Sequence, residues 1–161
     1  MSQSAMPLET THGFAPPSVT QFSVFLENRV GKLHDLVCAF ERSPIHLVAL
    51  SVHDAADFAV VRILTDNMTK TEDLLREKKF AYTKTDLLVV DLGKTGSMER
   101  MCLYLLGAEL NIRFAYPLML RPNGTPVIAL AVDDVTLAGQ ILRRKEFRLL
   151  GEADLPRATP E

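Results

Sequence analysis

Residues 93–97 read GKTGS, a stretch whose glycine and lysine could bind a phosphate group. A nucleotide-binding P-loop needs a further glycine five residues before the Gly-Lys pair, so that consecutive backbone N–H groups curve around the phosphates. Leu88 stands at that position. We therefore interpret GKTGS as a turn between a strand and a helix and not as a nucleotide-binding loop.

Side chains that catalyse reactions or bind metals are sparse in this sequence. The histidines lack the spacing of a metal site, and His46 and His53 would point to opposite faces of one strand. Cys38 and Cys102 fall within predicted helices, and we interpret both as reduced core residues. An acid, base or nucleophile set cannot be assembled from these residues. The sequence therefore predicts a protein that is not an enzyme and has no metal site or cofactor.

Two loops favour ligand binding through the backbone. ENRVG (27–31) and LGKTG (92–96) each follow a strand-like run and precede a helical pattern. The first N–H groups of a helix have no partner within the helix, and the helix dipole places partial positive charge there, so such loops bind carboxylates or phosphates. Gly31 and Gly96 lack the side chain that would hold a ligand away. The alternative is that both glycines only allow the chain to turn.

The elements that position these loops occur twice along the chain. The apolar positions Leu33, Leu36, Val37 and Phe40 return as Met98, Met101, Cys102 and Leu105, each set with the spacing of a helix and with an offset of 65. LLREKKF (74–80) and ILRRKEF (141–147) also match, with an offset of 67. Similarity at nearly one spacing indicates two copies of one supersecondary unit.

Each copy has the order of a ferredoxin-like unit. In the first copy we predict strands at 20–26, 45–53, 57–65 and 80–85, and helices at 32–42 and 69–79. In the second copy we predict strands at 87–92, 111–120, 126–132 and 147–150, and helices at 97–108 and 134–146. The predicted fold class is α+β, with two βαββαβ units in tandem, each an antiparallel sheet with its helices on one face.

The predicted domains are residues 20–86 and 87–155, with a disordered tail at 1–19 and a second tail at 156–161. Along the strand at 57–65 both faces are apolar except at Arg62. A second layer must therefore cover the face opposite the helices. We expect the two copies to pack against each other, and the chain to form a homo-oligomer, most simply a dimer.

The bulk composition excludes several classes of partner. Hydrophobic residues make up 47% of the 161 residues, which is ample for a packed core. With 18 basic and 20 acidic residues and no long run of either sign, nucleic acids and anionic membranes are not expected partners. No signal peptide and no apolar run approaching a membrane span is present, so we expect a cytoplasmic protein.

ENRVGKL (27–33), the helix after it, PIHLVALSV (44–52) and ADFAVVR (56–62) together resemble an ACT domain. The ACT domain is a ferredoxin-like module that binds amino acids and regulates metabolic enzymes. The resemblance covers residues 20–155 as a tandem pair. It implies a regulatory role, with a small amino acid as ligand and a metabolic enzyme as a possible partner.

The resemblance also implies which residues bind the ligand. ENRVG resembles the loop of serine-binding ACT modules, in which a loop asparagine and a strand asparagine of the adjacent copy hold the ligand. Asn28 of the first copy and Asn111 of the second match these two positions. When the second copy supplies the loop and the first copy the strand, the same positions are Gly93 and His46. The ligand carboxylate is then expected on the N–H groups of Val30, Gly31 and Lys32, and its ammonium on the amide oxygens of the two asparagines. The expected residues of this site are Asn28, Arg29, Val30, Gly31, Lys32 and Asn111.

The second loop would form a second site with Lys94, Thr95, Gly96, Ser97 and His46, which binds a different ligand or remains empty. The two copies can pair within one chain or between two chains, and the sequence does not choose. The alternative function is a regulatory subunit without a ligand of its own, similar to the small subunit of acetolactate synthase, an enzyme of amino-acid biosynthesis.

Overall fold

The structure is a computed structural model that describes residues 18–155 and the backbone of two short strands before them, β1 (Glu9–Thr10) and β2 (Gly13–Phe14). These two strands pair as an antiparallel hairpin within the predicted N-terminal tail. The rest of that tail up to residue 17, and the predicted C-terminal tail, 156–161, lie outside the described residues.

Two units with the predicted βαββαβ order follow. The first contains β3 (Val19–Glu27), α1 (Lys32–Glu41), β4 (Leu47–Ala55), β5 (Phe58–Thr65), α2 (Met68–Glu77) and the first half of β6 (Ala81–Asp91). The second contains the remainder of β6, α3 (Met98–Gly107), β7 (Ile112–Pro117), β8 (Val127–Val132), α4 (Val135–Arg144) and β9 (Arg148–Leu150). A short 3-10 helix, Glu152–Asp154, follows β9. The predicted fold class is confirmed.

Strand β6 belongs to both units. Its residues 81–87 pair with β3, while residues 88–91 pair with β8 and residues 89–91 also pair with β9, all antiparallel. The prediction of separate strands at 80–85 and 87–92 is therefore wrong, because no glycine or proline interrupts the run from Ala81 to Asp91. The predicted boundary between residues 86 and 87 falls inside this strand.

The resulting seven-stranded sheet has the order β4-β5-β3-β6-β8-β7, with β9 also paired to β6. Within the first unit the order is β6-β3-β5-β4, and within the second it is β9-β6-β8-β7. When the strands of each unit are numbered in the order in which they occur along the chain, their order in the sheet is the same in both units. The duplication inferred from the apolar spacing is thus present in the topology.

Each unit packs its two helices on one face of its sheet. In the first unit Leu36, Phe40 and Leu75 from the helices are buried against β3 and β5. In the second unit Met101, Leu105 and Leu142 are buried against β6 and β8. These residues include the inner positions of the two matching helical patterns, which explains why the same spacing recurs.

The opposite faces of the two half-sheets pack on each other. Their apolar layer includes Val48 and Leu64 of the first unit and Leu118 and Ala129 of the second. Arg62, the one charged residue on this face of β5, places its guanidinium 3.7 Å from the centre of the Phe114 ring. The expectation that the second copy covers the second face of the first is confirmed.

Candidate functional site

The loop between β3 and α1 leaves backbone donors available. Helix α1 begins after Gly31, whose φ of 91° lies in the left-handed region that glycine adopts without strain, and no side chain caps the helix. The Lys32 N–H donates to the Arg29 carbonyl at 3.3 Å and the Asp35 N–H to the Gly31 carbonyl at 3.0 Å. Within residues 18–155, no acceptor takes the N–H groups of Val30, Gly31 or Leu33. The Val30 side chain is fully exposed.

Asn28 is held at the base of this loop. Its Nδ2 donates to Asp54 Oδ1 and to the Ala56 carbonyl, both at 3.3 Å, and so ties the loop to the β4–β5 hairpin. The amide oxygen accepts no hydrogen bond from the described residues. Arg29 forms an exposed ion pair with Glu27 at 2.6 Å, which contributes little stability in water.

The two predicted partners of the loops lie on other elements. Asn111 precedes β7, where its carbonyl accepts the Asp133 N–H at 3.3 Å. His46 precedes β4; its backbone N–H donates to Asp66 Oδ1 at 2.9 Å, and its Nδ1 is buried without a hydrogen bond. In the part of the chain that the structure describes, no hydrogen bond joins Asn28 to Asn111, or Gly93 to His46. Neither of the two cavities described below is lined by Asn28, Asn111 or His46.

The second predicted loop, between β6 and α3, uses its backbone differently. The Gly93 N–H donates to the buried Asp91 carboxylate at 2.8 Å, and the Gly96 N–H donates to the Gly93 carbonyl at 3.2 Å. Ser97 caps α3, since its Oγ accepts the Arg100 N–H at 3.3 Å. Several N–H groups of this loop are therefore satisfied within the loop itself.

A cavity of about 440 Å³ opens beside this second loop. Lys94, Thr95 and Ser97 of the predicted site line it, whereas Gly96 does not. The β7–β8 connection contributes Asn123 and Thr125, the connection from α4 to β9 contributes residues 145–147, and the first residue of β9, Arg148, completes the lining. The Thr125 hydroxyl donates to Asp91 Oδ1 at 2.6 Å, which fastens the β7–β8 connection to the loop.

The walls of this cavity are basic. The four basic residues that line it are Lys94, Arg100, Lys145 and Arg148. The Arg100 guanidinium lies 5.7 Å from the centre of the Phe147 ring, and Lys145 Nζ lies 5.0 Å from the centre of the Tyr104 ring. None of the four forms an ion pair with a carboxylate among residues 18–155.

Sequence reasoning identified only one of these four residues, Lys94. Alignment of the two copies could have identified two of the others as differences in charge. Asp35 stands 65 positions before Arg100, and Ala81 stands 67 positions before Arg148. The second copy has therefore gained basic side chains that the first copy lacks.

A larger cavity, about 680 Å³, lies between α1 and α2 of the first unit. Cys38 lines it and is half-buried, with its Sγ 3.4 Å from His34 Nε2, while Cys102 is exposed. The prediction that both cysteines are core residues is wrong, because each lies beside the buried stripe of its helix. His34 also has an i+4 neighbour, Cys38, that the spacing argument overlooked.

The described residues contain no group of three or more side chains arranged to hold a metal ion. Of the helices described, none has both the length and the apolar character needed to cross a bilayer.

Comparisons with known proteins agree with this architecture. A family model described as an ACT domain pair matches residues 17–158. The crystal structure of protein BT0572 from Bacteroides thetaiotaomicron is similar with a TM-score of 0.75 and 23% identity, over 85% of this chain and 94% of that chain. Among curated protein sequences no significant match is found.

Two further structures share the fold at lower similarity. The structure of aspartokinase alpha and beta subunits has a TM-score of 0.52 and 12% identity, over 80% of this chain and 91% of that chain. The ligand-free regulatory subunit of aspartate kinase from Thermus thermophilus has a TM-score of 0.51 and 9% identity, over 79% of this chain and 91% of that chain. With two βαββαβ units of one topology and a family match that spans both of them, the chain belongs to the ACT domain pair family.

Proposed function

We propose that this protein is a non-catalytic regulatory protein that binds a small amino acid at the β3–α1 loop. The observation that carries the proposal is the uncapped loop itself, where the N–H groups of Val30, Gly31 and Leu33 lack acceptors within the described chain. Free N–H groups at a helix N-terminus suit a carboxylate. The amide oxygen of Asn28, at the base of the same loop, suits an ammonium group.

The second asparagine of the site, Asn111, is supplied in this proposal by a second copy of the chain. Two observations support this arrangement. The two units of one chain already bury the apolar faces of their half-sheets against each other. Within residues 18–155, no hydrogen bond joins Asn111 to Asn28. An amino acid bound between two chains would stabilise their association by its differential affinity for the paired state.

The regulatory character of this proposal is supported by the match to the ACT domain pair family and by one fold neighbour that is described as the regulatory subunit of aspartate kinase. A bound ligand would shift the equilibrium between paired and unpaired chains and thereby change the surface offered to a metabolic enzyme. Linkage limits the size of this response to the difference in ligand affinity between the two states.

The test is a thermal-shift screen of the twenty amino acids, followed by calorimetry with any amino acid that raises the melting temperature. Asn28→Ala and Asn111→Ala should each weaken binding about tenfold, because each removes one hydrogen bond to a charged group. Asp54→Ala is the matched control, since it removes a hairpin partner of Asn28 and keeps the amide oxygen. It should retain most of the affinity.

Sedimentation of the protein with and without the ligand tests the assembly. The ligand should shift the protein toward dimer, and Asn111→Ala should reduce that shift. Unchanged affinity in both asparagine variants would reject the site. If no amino acid raises the melting temperature, the ligand-free regulatory subunit becomes the better description of the protein.

A further inference from the structure

We propose that the basic cavity beside the β6–α3 loop binds a compact dianion, either a phosphate monoester or a dicarboxylate. This site differs from the amino-acid site of the proposed function in position, in binding groups and in ligand charge. The proposal stands whether or not the β3–α1 loop binds an amino acid.

The side chains around the cavity carry an excess of positive charge. The chain has a formal net charge of −2. Yet four basic and only two acidic side chains, Asp91 and Glu146, line this cavity. Asp91 is buried and accepts hydrogen bonds from Gly93 and Thr125, so part of its charge is already offset within the protein. Basic groups gathered around a concave surface attract anions, and a dianion complements the excess better than a single carboxylate.

Hydrogen bonds and aromatic rings hold the wall of the cavity and its cations in place. Three connections form its wall, and the hydrogen bond from Thr125 to Asp91 joins two of them. Aromatic rings lie beside two of the cations, Arg100 near Phe147 and Lys145 near Tyr104. A cation held near a ring loses less conformational freedom when a ligand binds. The volume, about 440 Å³, is within the range of pockets for small molecules.

The first copy lacks two of the basic side chains that line this cavity in the second copy. At the positions aligned with Arg100 and Arg148, the first copy has Asp35 and Ala81. At the position aligned with Lys94 it has Arg29, which forms an ion pair with Glu27. Equivalent loops of the same fold therefore differ in charge. The first offers unpaired backbone N–H groups and an amide oxygen, and the second lies in a cavity with four cations that form no ion pair with a carboxylate of the described residues.

The experiment titrates the full chain with inorganic phosphate and, separately, with succinate, at constant physiological ionic strength. Calorimetry measures affinity, and the amide resonances of Gly93 and Gly96 report whether binding occurs at this loop. Lys94→Gln and Arg148→Gln should each weaken binding about tenfold, because each removes a charge-assisted contact. Both side chains are exposed, so both variants should remain folded.

Lys78→Gln is the matched control, because Lys78 is the counterpart of Lys145 in the first copy. It removes the same charge from the chain and should leave the affinity unchanged.

Binding of phosphate alone assigns a phosphate monoester, binding of succinate alone assigns a dicarboxylate, and binding of both supports the shared dianion chemistry. The proposal is overturned if neither anion binds, or if Lys78→Gln weakens binding as much as Arg148→Gln does. Asn28→Ala should have no effect on either anion, which separates this test from that of the amino-acid site.

Discussion

At the scale of single residues, one buried polar pair joins the two half-sheets. The Tyr116 hydroxyl of the second unit donates to Gln21 Oε1 of the first at 2.6 Å, and Gln21 is fully buried. The Gln21 amide nitrogen donates in turn to the Ser23 hydroxyl at 3.0 Å. A buried amide with both ends bonded restricts how the apolar layers around it can slide, because any slip would leave a polar atom unpaired.

Removing the hydroxyl should therefore destabilise the protein. We expect Tyr116→Phe to lower the free energy of unfolding by about 1–3 kcal/mol, since Gln21 Oε1 would remain buried without its donor. Urea denaturation measures the change. Tyr104→Phe is the control, because no residue in the described chain hydrogen-bonds to the Tyr104 hydroxyl. Equal losses in the two variants would show that the Tyr116–Gln21 bond is not the cause.

The same tyrosine predicts a loss of stability at alkaline pH. Burial raises the pKa of Tyr116 far above its usual value near 10. Below pH 10 both the native and the unfolded states keep the phenolic proton. Above pH 10 only the unfolded state releases it, so this residue lowers the free energy of unfolding by up to ~1.4 kcal/mol per pH unit.

This pH effect is measured as a difference between proteins. The free energy of unfolding of the wild type should fall more steeply above pH 10 than that of Tyr116→Phe. Parallel curves for the wild type and Tyr116→Phe would contradict the prediction.

At the scale of elements, the helices differ in how they begin. Asn67, Ser97 and Asp134 cap α2, α3 and α4 with side-chain oxygens. Helix α1 instead follows Gly31 and has no side-chain cap. A missing cap reduces the stability of a helix but leaves its first N–H groups available to a ligand. The uncapped helix is the one that begins at the proposed amino-acid site.

The caps make a direct prediction for α4. Asp134 Oδ1 accepts the Leu137 N–H at 2.9 Å, so Asp134→Ala should lower the free energy of unfolding by about 1 kcal/mol. Asp133→Ala removes the same charge one residue earlier without removing a cap, and it should have a much smaller effect. Chemical denaturation of both variants is the measurement, and equal effects would show that charge rather than capping is responsible.

At the scale of the whole molecule, β6 and the layer between the half-sheets couple the two units. One strand pairs with β3 along its first half and with β8 along its second half. Residues of both units share the apolar cluster between the sheets. Unfolding one unit would therefore break the strand and expose the apolar face of the other. We expect the two units to unfold together.

Matched core substitutions test this coupling. Leu75 in α2 and Leu142 in α4 are counterparts in the two copies, and both are fully buried. Leu75→Ala and Leu142→Ala should each lower the free energy of unfolding by about 2–5 kcal/mol. Calorimetry should show one transition in the wild type and in both variants. Two transitions, each sensitive to only one substitution, would show that the units fold independently.

Patterns within short stretches predicted much of the fold. The spacing of Leu36 and Phe40, repeated in Met101 and Leu105, reflects the face that each helix buries, and this periodicity is a local property of the chain. The covered second face could also be inferred, since Arg62 is the one charged residue in an otherwise apolar strand. The change of pairing partner along β6 could not, because it leaves no mark in the composition of the strand.

The sequence by itself determined the duplicated βαββαβ order and located both strand-to-helix loops, because glycine positions and side-chain periodicity are local. Only the tertiary structure decided which side chains surround each loop. Lys94 and Arg100 belong to one stretch of the chain, and Lys145 and Arg148 belong to a distant one. All four line one cavity because the β6–α3 loop, the β7–β8 connection and the end of α4 meet at the same end of the second unit. Charge complementarity depends on distance in space, and the folded chain alone sets those distances.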